Sequence, residues 1–186
     1  MDLDYTEGCV NFRDVGEWLN MLADREVFPK GRLLRGGKLD FVLSAHDIGN
    51  PGTIINLRKG PDPEHLHFDA DYLHFPISND QEKYQTDNND VKRWLDSIMY
   101  SLANDVKKFP VLFHCTSGKD RTGVVVASLL FAIGIDRDLI VQEYLLSDGG
   151  VKAEWINMAL DGIKNPKDYF RRTDLAKLKY VIYEKP

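Results

Sequence analysis

The chain has 186 residues, of which 43% are hydrophobic and 28% are charged, so it can bury a substantial core. This length fits one domain, which we expect to span residues 1–186. The 24 basic and 29 acidic residues give a formal net charge of −5, which argues against a nucleic-acid partner bound through bulk positive charge.

The sequence also disfavours membrane insertion and a signal peptide, and it leaves export without a signal peptide open. The longest apolar stretch, residues 123–135, is shorter than the roughly 20 residues that a transmembrane helix needs. The start of the chain carries aspartates where a signal peptide carries Lys or Arg. Cys9 and Cys115 are the only cysteines, which suits a reducing compartment and not a disulfide framework. We therefore expect a cytoplasmic protein without a transmembrane segment.

The first half of the chain predicts strands and one long helix. The first forty residues have weak patterning apart from a short strand at 33–35. Runs of β-branched and apolar residues predict strands at 53–58 and 71–77. Apolar residues at spacings of three and four predict a helix at 90–108. The polar residues 78–90 predict a mobile surface loop that forms part of the rim of a pocket and closes over a bound substrate.

The second half of the chain is mainly helical. It begins with a predicted strand at 110–115, a turn at 116–120 and a helix at 121–131. Further helices are predicted at 137–146, 151–163 and 173–183. The alternation of strands and helices predicts an α/β fold with a central, mostly parallel sheet flanked by helices. The helical C-terminal part, from about residue 136 to residue 186, is expected to cover one face of this sheet.

One strand–turn–helix unit carries the most informative chemistry. Cys115 lies at the carboxyl end of an apolar strand, where open α/β sheets place ligand sites. The turn at 116–120 leads directly into a helix, so backbone N–H groups and the helix N-terminus converge to form an anion site. The same positive field favours the thiolate form of Cys115, which is the nucleophilic form.

Two further residues fit this unit to phosphate. Arg121 comes six residues after Cys115 and can fold back over the turn, where its planar guanidinium matches two phosphate oxygens. Gly118 permits a close backbone approach that a side chain would block. A cysteine at a strand end is commonly only a small buried apolar residue, but the residues around Cys115 favour a nucleophile at the base of a phosphate cradle.

Two other enzyme classes fit this segment poorly. A Walker A loop needs Gly, four residues and then Gly-Lys-Ser/Thr, whereas here Phe113 occupies the first Gly position and Asp120 follows Lys119. A cysteine protease has no need of an Arg held over its nucleophile. The segment therefore favours phosphate chemistry over both alternatives.

Residues 114–123 (HCTSGKDRTG) resemble the signature loop of the cysteine-dependent protein tyrosine phosphatase superfamily. They are most similar to the bacterial tyrosine/phosphoinositide phosphatase branch, which includes secreted virulence phosphatases. Further segments resemble landmarks of that branch in matching order: 11–16 (NFRDVG), 35–39 (RGGKL) and 54–58 (IINLR). Two positions depart from the branch, because Glu17 replaces a frequent second Gly and Asn56 replaces the usual Asp.

The resemblance implies a dual-specificity-phosphatase-sized fold and a two-step hydrolysis of phosphomonoesters through a cysteinyl-phosphate. The implied substrate is a phosphotyrosine protein, with dual specificity or phosphoinositide activity as open alternatives. No metal or cofactor is implied, because the cradle itself neutralises the phosphate charge. A catalytically silent phospho-ligand-binding module and a rhodanese-type sulfurtransferase are the competing hypotheses. A silent binding module would be expected to lack the nucleophile, the arginine or the acid, whereas candidates for all three are present here. A sulfurtransferase would not be expected to carry the Arg-Thr-Gly ending.

The same resemblance assigns roles to individual residues. It makes Cys115 the nucleophile and Arg121 the group that holds the phosphate oxygens. Thr122 matches the hydroxyl that assists the sulfur as a leaving group, and His114 matches the residue that orients the loop. The implied substrate-binding residues are Thr116, Ser117, Gly118, Lys119, Asp120 and Arg121.

The general acid has two candidates. The leaving oxygen needs a proton from a carboxylic acid within hydrogen-bond reach. Many relatives use an Asp after Trp-Pro, but no Trp of this chain is followed by Pro-Asp. The resemblance implies Asp120 of the signature loop as the acid, and Asp80 of the polar segment 78–90 is the alternative.

Residues outside this unit give weaker signals. Lys119 either lies at the pocket mouth, favouring substrates with additional phosphate groups, or is a solvated surface lysine. Arg13 and Asp14 are expected to brace the cradle in preference to lining the pocket, and Cys9 is expected to pack in the interior. The histidines lack the spacing of a metal site: His65, His67 and His74.

Overall fold

The structure is a computed structural model that describes residues 8–78 and 82–183. Within these residues the strands are β1 (Arg13–Asp14), β2 (Leu33–Gly36), β3 (Thr53–Asn56), β4 (Asp71–His74) and β5 (Val111–His114). They form a sheet in the order β1-β2-β5-β3-β4. β1 is antiparallel to β2, and the other pairs are parallel. The predicted α/β fold with a mostly parallel sheet is confirmed.

β5 lies at the centre of the sheet because its residues are apolar on both faces. Leu112 packs with Ile54 in a cluster on one face, and Phe113 belongs to the larger core on the other. Both side chains are completely buried, as expected for a parallel strand covered on both sides.

The register of β5 aligns the carboxyl ends of three strands. His114 pairs with Gly36 at the end of β2 and with Asn56 at the end of β3. The residues that follow these strands therefore meet at one edge of the sheet, and Cys115 lies in the middle of that edge.

Helices make up most of the other regular structure of the described part. They are α1 (Val15–Ala23), α2 (Asn89–Asn104), α3 (Asp120–Ala132), α4 (Arg137–Leu145), α5 (Ala153–Ile163), α6 (Pro166–Tyr169) and α7 (Leu175–Tyr183). Short 3-10 helices span Ala45–Ile48 and Glu64–His67. No helix of the described residues is long and apolar enough to cross a membrane.

The two helices that flank β5 follow their predicted patterns. The side chain of Asn88 accepts a hydrogen bond from the backbone N–H of Asp90 and caps α2. α3 begins one residue before its predicted start, and its residues from Thr122 to Leu130 are all buried. α3 is therefore a central helix that fixes the loop preceding it.

Several predicted boundaries are corrected by the structure. β3 ends at Asn56 and β4 at His74, so both strands are shorter than the predicted runs. β1 and α1 were not predicted, because β1 is only two residues long and exists through its pairing with the distant β2. Asp14 begins α1 by accepting hydrogen bonds from the backbone N–H groups of Gly16 and Glu17.

Candidate active site

The signature loop (residues 115–121) joins β5 to α3 in a tight turn. Cys115 directly follows β5 and is 3% exposed. Gly118 has φ +69°, and a Cβ atom there would lie 2.6 Å from the backbone carbon of Gly36. Only glycine fits a position with both a left-handed backbone and so close a neighbour. The close backbone approach that Gly118 permits in this structure is to Gly36 and Gly37.

Three contacts hold the backbone carbonyls of the loop from outside. The Lys38 N–H donates to Thr116 O at 3.0 Å, the Asn11 side chain to Ser117 O at 2.8 Å, and Arg35 to Gly118 O at 2.9 Å. With consecutive carbonyls drawn outward, we expect the loop to turn its amide side toward the cavity, as an anion cradle requires.

A buried charge cluster lies beneath the loop. Glu143 of α4 contacts Arg13 at 2.8 Å and Arg35 at 2.6 Å, and all three side chains are at most 5% exposed. Burial and the neighbouring Arg35 lower the pKa of Arg13 to about 10, against the opposing effect of Glu143. Two guanidinium groups share one carboxylate, so the cluster keeps positive charge near the anion site. Arg13 reaches the loop through this cluster, whereas Asp14, which was predicted to brace the cradle with it, caps α1 and accepts from the Gly31 N–H instead.

Arg121 and Thr122 open α3 on the side of the cavity. Arg121 lines the cavity, and its Nη1 donates a hydrogen bond to the carbonyl oxygen of Leu57 at 3.3 Å. Thr122 is completely buried, and its hydroxyl has no hydrogen-bond partner in residues 8–78 and 82–183. The Thr122 hydroxyl is therefore available to donate a hydrogen bond to negative charge that develops at the loop during a reaction.

His114 is paired with an acid that the sequence analysis did not identify. Its Nε2 lies 2.8 Å from Oδ2 of Asp62, and both side chains are completely buried. Arg58 donates to the other oxygen of Asp62 at 3.1 Å. Burial raises the pKa of Asp62, but the contact with His114 and the charges of His114 and Arg58 outweigh it and hold that pKa below its usual value.

The departure at Asn56 is explained by its neighbours. The Asn56 side chain donates to Tyr72 Oη at 2.8 Å and to Gly60 O at 3.0 Å, and it accepts from the Arg58 N–H at 2.6 Å. An amide satisfies all three contacts because it both donates and accepts. Asp62 supplies a carboxylate beside His114 from another segment.

The loop forms one wall of a cavity of about 610 Å³. Its predicted residues that line the cavity are Cys115, Thr116, Ser117, Lys119, Asp120 and Arg121. The cavity is also lined by Tyr84 and by Trp155 and Met158 of α5. The sequence analysis missed these three because nothing local distinguishes them from ordinary rim or helix residues.

Of the two candidate acids, only Asp120 lies within the described residues. Asp120 is the first residue of α3 and lines the cavity. Its Oδ1 accepts a hydrogen bond from the Tyr84 hydroxyl at 2.8 Å, and its Oδ2 lies 3.8 Å from Lys119 Nζ. Asp80 lies outside the described residues.

The segment around Asp80 was predicted to be a surface loop on the rim. Residues 82–85 do line the cavity. However, Tyr84 and Thr86 are buried, and the Thr86 hydroxyl donates to the carbonyl oxygen of Ala159. This part of the segment is therefore docked on α5 instead of being a solvent-exposed loop.

Lys119 and Cys9 are the two remaining residues for which the sequence made a prediction. Lys119 Nζ donates to Gly149 O at 3.0 Å while its side chain lines the cavity, which joins features of both interpretations. Burial raises the pKa of the Cys9 thiol to about 12, against the opposing effect of a backbone hydrogen bond with Gly37. Cys9 thus remains a packed thiol. Residues 8–78 and 82–183 contain no group of three or more side chains placed to hold a metal ion.

Solved structures of phosphatases share this fold. The core catalytic domain of the PP-IP phosphatase SIW14 from S. cerevisiae, solved with citrate, aligns with a TM-score of 0.54 and 18% identity over 76% of this chain and 90% of its own. TpbA from P. aeruginosa aligns with a TM-score of 0.50 and 20% identity over 85% and 88%. These likenesses concern the fold.

Sequence comparison identifies the family. The triple specificity protein phosphatase PtpB of Mycobacterium tuberculosis is 62% identical over 42 residues, which is 23% of this chain and 15% of that relative. The match thus spans less than a sixth of the relative's length. A model of the tyrosine phosphatase family matches residues 5–181, nearly the whole chain. The chain therefore belongs to the tyrosine phosphatase family.

Proposed function

We propose that this protein is a cysteine-dependent phosphomonoester hydrolase whose preferred substrate is a phosphotyrosine protein. The observation that carries the proposal is the convergence of Cys115, Asp120 and Arg121 on one cavity at the N-terminus of α3. A nucleophile, a proton donor and a cation then surround the place where the helix N-terminus attracts phosphate. Family membership supports the same reaction.

In the first step, the Cys115 thiolate attacks phosphorus, and the bond from phosphorus to the ester oxygen breaks. Arg121 and the loop amides bind the phosphate oxygens and stabilise the charge of the transition state. Asp120 donates a proton to the departing oxygen. The cluster of Arg13, Arg35 and Glu143 holds the loop in place for this step.

In the second step, water attacks the cysteinyl-phosphate and the sulfur–phosphorus bond breaks. Asp120, now a carboxylate, accepts a proton from the attacking water. The Thr122 hydroxyl donates a hydrogen bond to the sulfur as it leaves, which fits the absence of any other partner for this group among the described residues. His114 orients the loop through its contact with Asp62.

The aromatic side chains that line the cavity support an aromatic substrate. Trp155 and Tyr84 lie beside each other with ring centroids 5.9 Å apart, and Met158 extends the same surface. Aromatic and thioether side chains pack well against a phenyl ring. Phosphotyrosine is therefore preferred over phosphoserine. Phosphoserine, phosphothreonine and phosphoinositides are the next substrates to assay, since one relative is a triple specificity protein phosphatase.

The proposal includes one catalytic domain over residues 1–186 in the cytoplasm. A single buried cluster joins residues from Val15 to Ile182, which supports one domain. Both described cysteines are free thiols, which suits a reducing compartment.

The test is metal-free hydrolysis of p-nitrophenyl phosphate and phenyl phosphate by the wild type and by Cys115→Ser and Asp120→Asn. Cys115→Ser should abolish activity on both substrates. Asp120→Asn should lower kcat/KM by roughly 10²-fold or more on phenyl phosphate and far less on p-nitrophenyl phosphate, whose leaving group needs little protonation.

The control is Cys9→Ala, which removes the other thiol and should retain activity. Phosphotyrosine, phosphoserine and phosphothreonine peptides and a phosphoinositide then rank the substrates. Activity that survives Cys115→Ser, or a wild type that binds phosphate without hydrolysing any of these esters, would contradict the proposal.

A further inference from the structure

Two buried tyrosines lie next to Asp120, and the two-step mechanism gives their hydroxyl groups no role. The Tyr84 hydroxyl lies 2.8 Å from Asp120 Oδ1 and 2.6 Å from the Tyr144 hydroxyl. Tyr144 is completely buried on α4, and Tyr84 is 6% exposed. The three groups form a chain of hydrogen bonds that runs from the interior to the cavity.

The direction of this chain follows from counting donors. The Tyr84 hydroxyl is the only hydrogen-bond partner of the Tyr144 hydroxyl in residues 8–78 and 82–183. A buried hydroxyl must donate somewhere, so Tyr144 donates to the Tyr84 oxygen. Tyr84 has one hydrogen and therefore directs it to Asp120 Oδ1. Burial raises the pKa of both phenols, so both keep their hydrogens across the working pH range.

Packing fixes the two rings as well as their hydroxyls. Tyr84 contacts the Tyr144 ring edge to face at 6.3 Å and lies against Trp155. A Cβ atom on Gly123 would lie 2.7 Å from the Tyr144 ring, so the glycine of the signature motif makes room for it. The Tyr84 hydroxyl is thus held in place by α3, α4 and α5 together.

We infer that Tyr84, supported by Tyr144, is the positioning residue of the general acid. Its hydrogen occupies Oδ1 of Asp120, so the acidic proton of the neutral carboxyl resides on Oδ2, which lies 3.8 Å from Lys119 Nζ and is the oxygen that meets the leaving group. The same bond prevents rotation of the carboxyl and stabilises the carboxylate that remains after proton donation. This inference rests on the proposed function, in which Asp120 is the acid.

The test is Tyr84→Phe, which removes the hydroxyl and keeps the ring. Its kcat/KM on phenyl phosphate should fall roughly five- to tenfold, as expected for one lost hydrogen bond. The value on p-nitrophenyl phosphate should change less than about twofold, because that leaving group needs little protonation. The inhibition constant of inorganic phosphate should stay unchanged, since the cradle is intact.

Matched variants separate positioning from general damage. Tyr144→Phe should act in the same direction with roughly half the effect or less. Tyr183→Phe removes another bonded tyrosine hydroxyl, which donates to Val27 O outside the cavity lining, and should affect neither substrate. In the Asp120→Asn background, Tyr84→Phe should add no further dependence on the leaving group.

The outcomes distinguish the two proposals. An equal loss on both substrates in Tyr84→Phe, with the Asp120→Asn effect still dependent on the leaving group, would overturn the role of Tyr84 alone. An Asp120→Asn effect that is the same for both substrates would overturn the acid and its positioning residue together. A wild type inactive on both would overturn the proposed function and this inference with it.

Discussion

At the scale of the residue, the contact between His114 and Asp62 shows how one buried carboxylate serves the catalytic loop. His114 directly precedes Cys115 in the chain, and its ring is completely buried. Asp62 holds that ring from a different segment and is itself held by Arg58 and Tyr72. The partners offset the cost of burying the carboxylate and leave its pKa below the usual value of 3.8.

We predict that Asp62→Asn destabilises the fold by about 2 kcal/mol at neutral pH, because a buried charged contact is lost. The pKa of Asp62 is lower in the folded state than the usual 3.8. Its stabilisation is therefore present above that value and is lost as the pH falls through the folded value. Urea unfolding between about pH 3 and pH 7 should show a flatter acid dependence in the variant.

The control for this prediction is Asp105→Asn, an exposed acid at the end of α2. It should leave both the stability and its pH dependence close to wild type. An identical acid dependence in wild type and Asp62→Asn would show that Asp62 does not contribute in this way.

At the scale of the element, β5, the loop and α3 act as one unit. The strand is buried on both faces, the helix is buried along most of its length, and the loop between them has almost no freedom. Three outside contacts hold its carbonyls. The cradle is thus preorganised before an anion arrives, which is the condition for strong electrostatic stabilisation.

We predict that Gly118→Ala lowers kcat/KM by roughly 10²-fold or more, since the Cβ atom must displace the backbone of Gly36 and with it the loop. The matched control is Gly31→Ala. Gly31 has a similar φ of +65° with nothing within 4 Å of the added atom. It bears the same backbone strain, about 1–2 kcal/mol, without the clash.

Kinetics and thermal unfolding of the two variants separate strain from displacement. Both should lose stability, but only Gly118→Ala should lose activity and phosphate binding. Equal activity in the two variants would mean that the close approach of Gly118 and Gly36 is unimportant for the cradle.

At the scale of the whole molecule, part of the core lies apart from the residues that line the cavity. α7 packs against α2 on the side of the core away from the cavity, and Leu178 on α7 is completely buried. Arg32 binds the carbonyl oxygens of Val181 and Ile182 at the end of this helix. α7 thus packs on the core, and none of its residues lines the cavity.

We predict that Leu178→Ala destabilises the protein by about 2–4 kcal/mol, through lost burial and the cavity left behind. The folded fraction should keep a wild-type kcat/KM at moderate temperature. Leu43→Ala, at a position 92% exposed, is the control and should change stability by less than about 0.5 kcal/mol. A drop in kcat/KM of folded Leu178→Ala would contradict this separation.

The sequence by itself determined the parts of the site that are local in the chain. The strand, the turn, the helix and the spacing of Cys115 and Arg121 lie within about a dozen residues, where periodicity and turn chemistry act directly. The same patterns predicted the α/β class and the long helix α2. α1 and β1 were not predicted, because the hydrophobic pattern of the first forty residues is weak. β1 also depends on its pairing with the distant β2.

Only the tertiary structure decided which distant residues complete the site. Asp62 beside His114, Tyr84 on Asp120 and Asn11 on Ser117 join residues separated by 36 or more positions. Such contacts depend on strand order and helix packing, so the short periodicities of helices and strands in the sequence do not encode them. The local sequence therefore places Cys115 and Arg121, whereas the fold as a whole positions the groups around them.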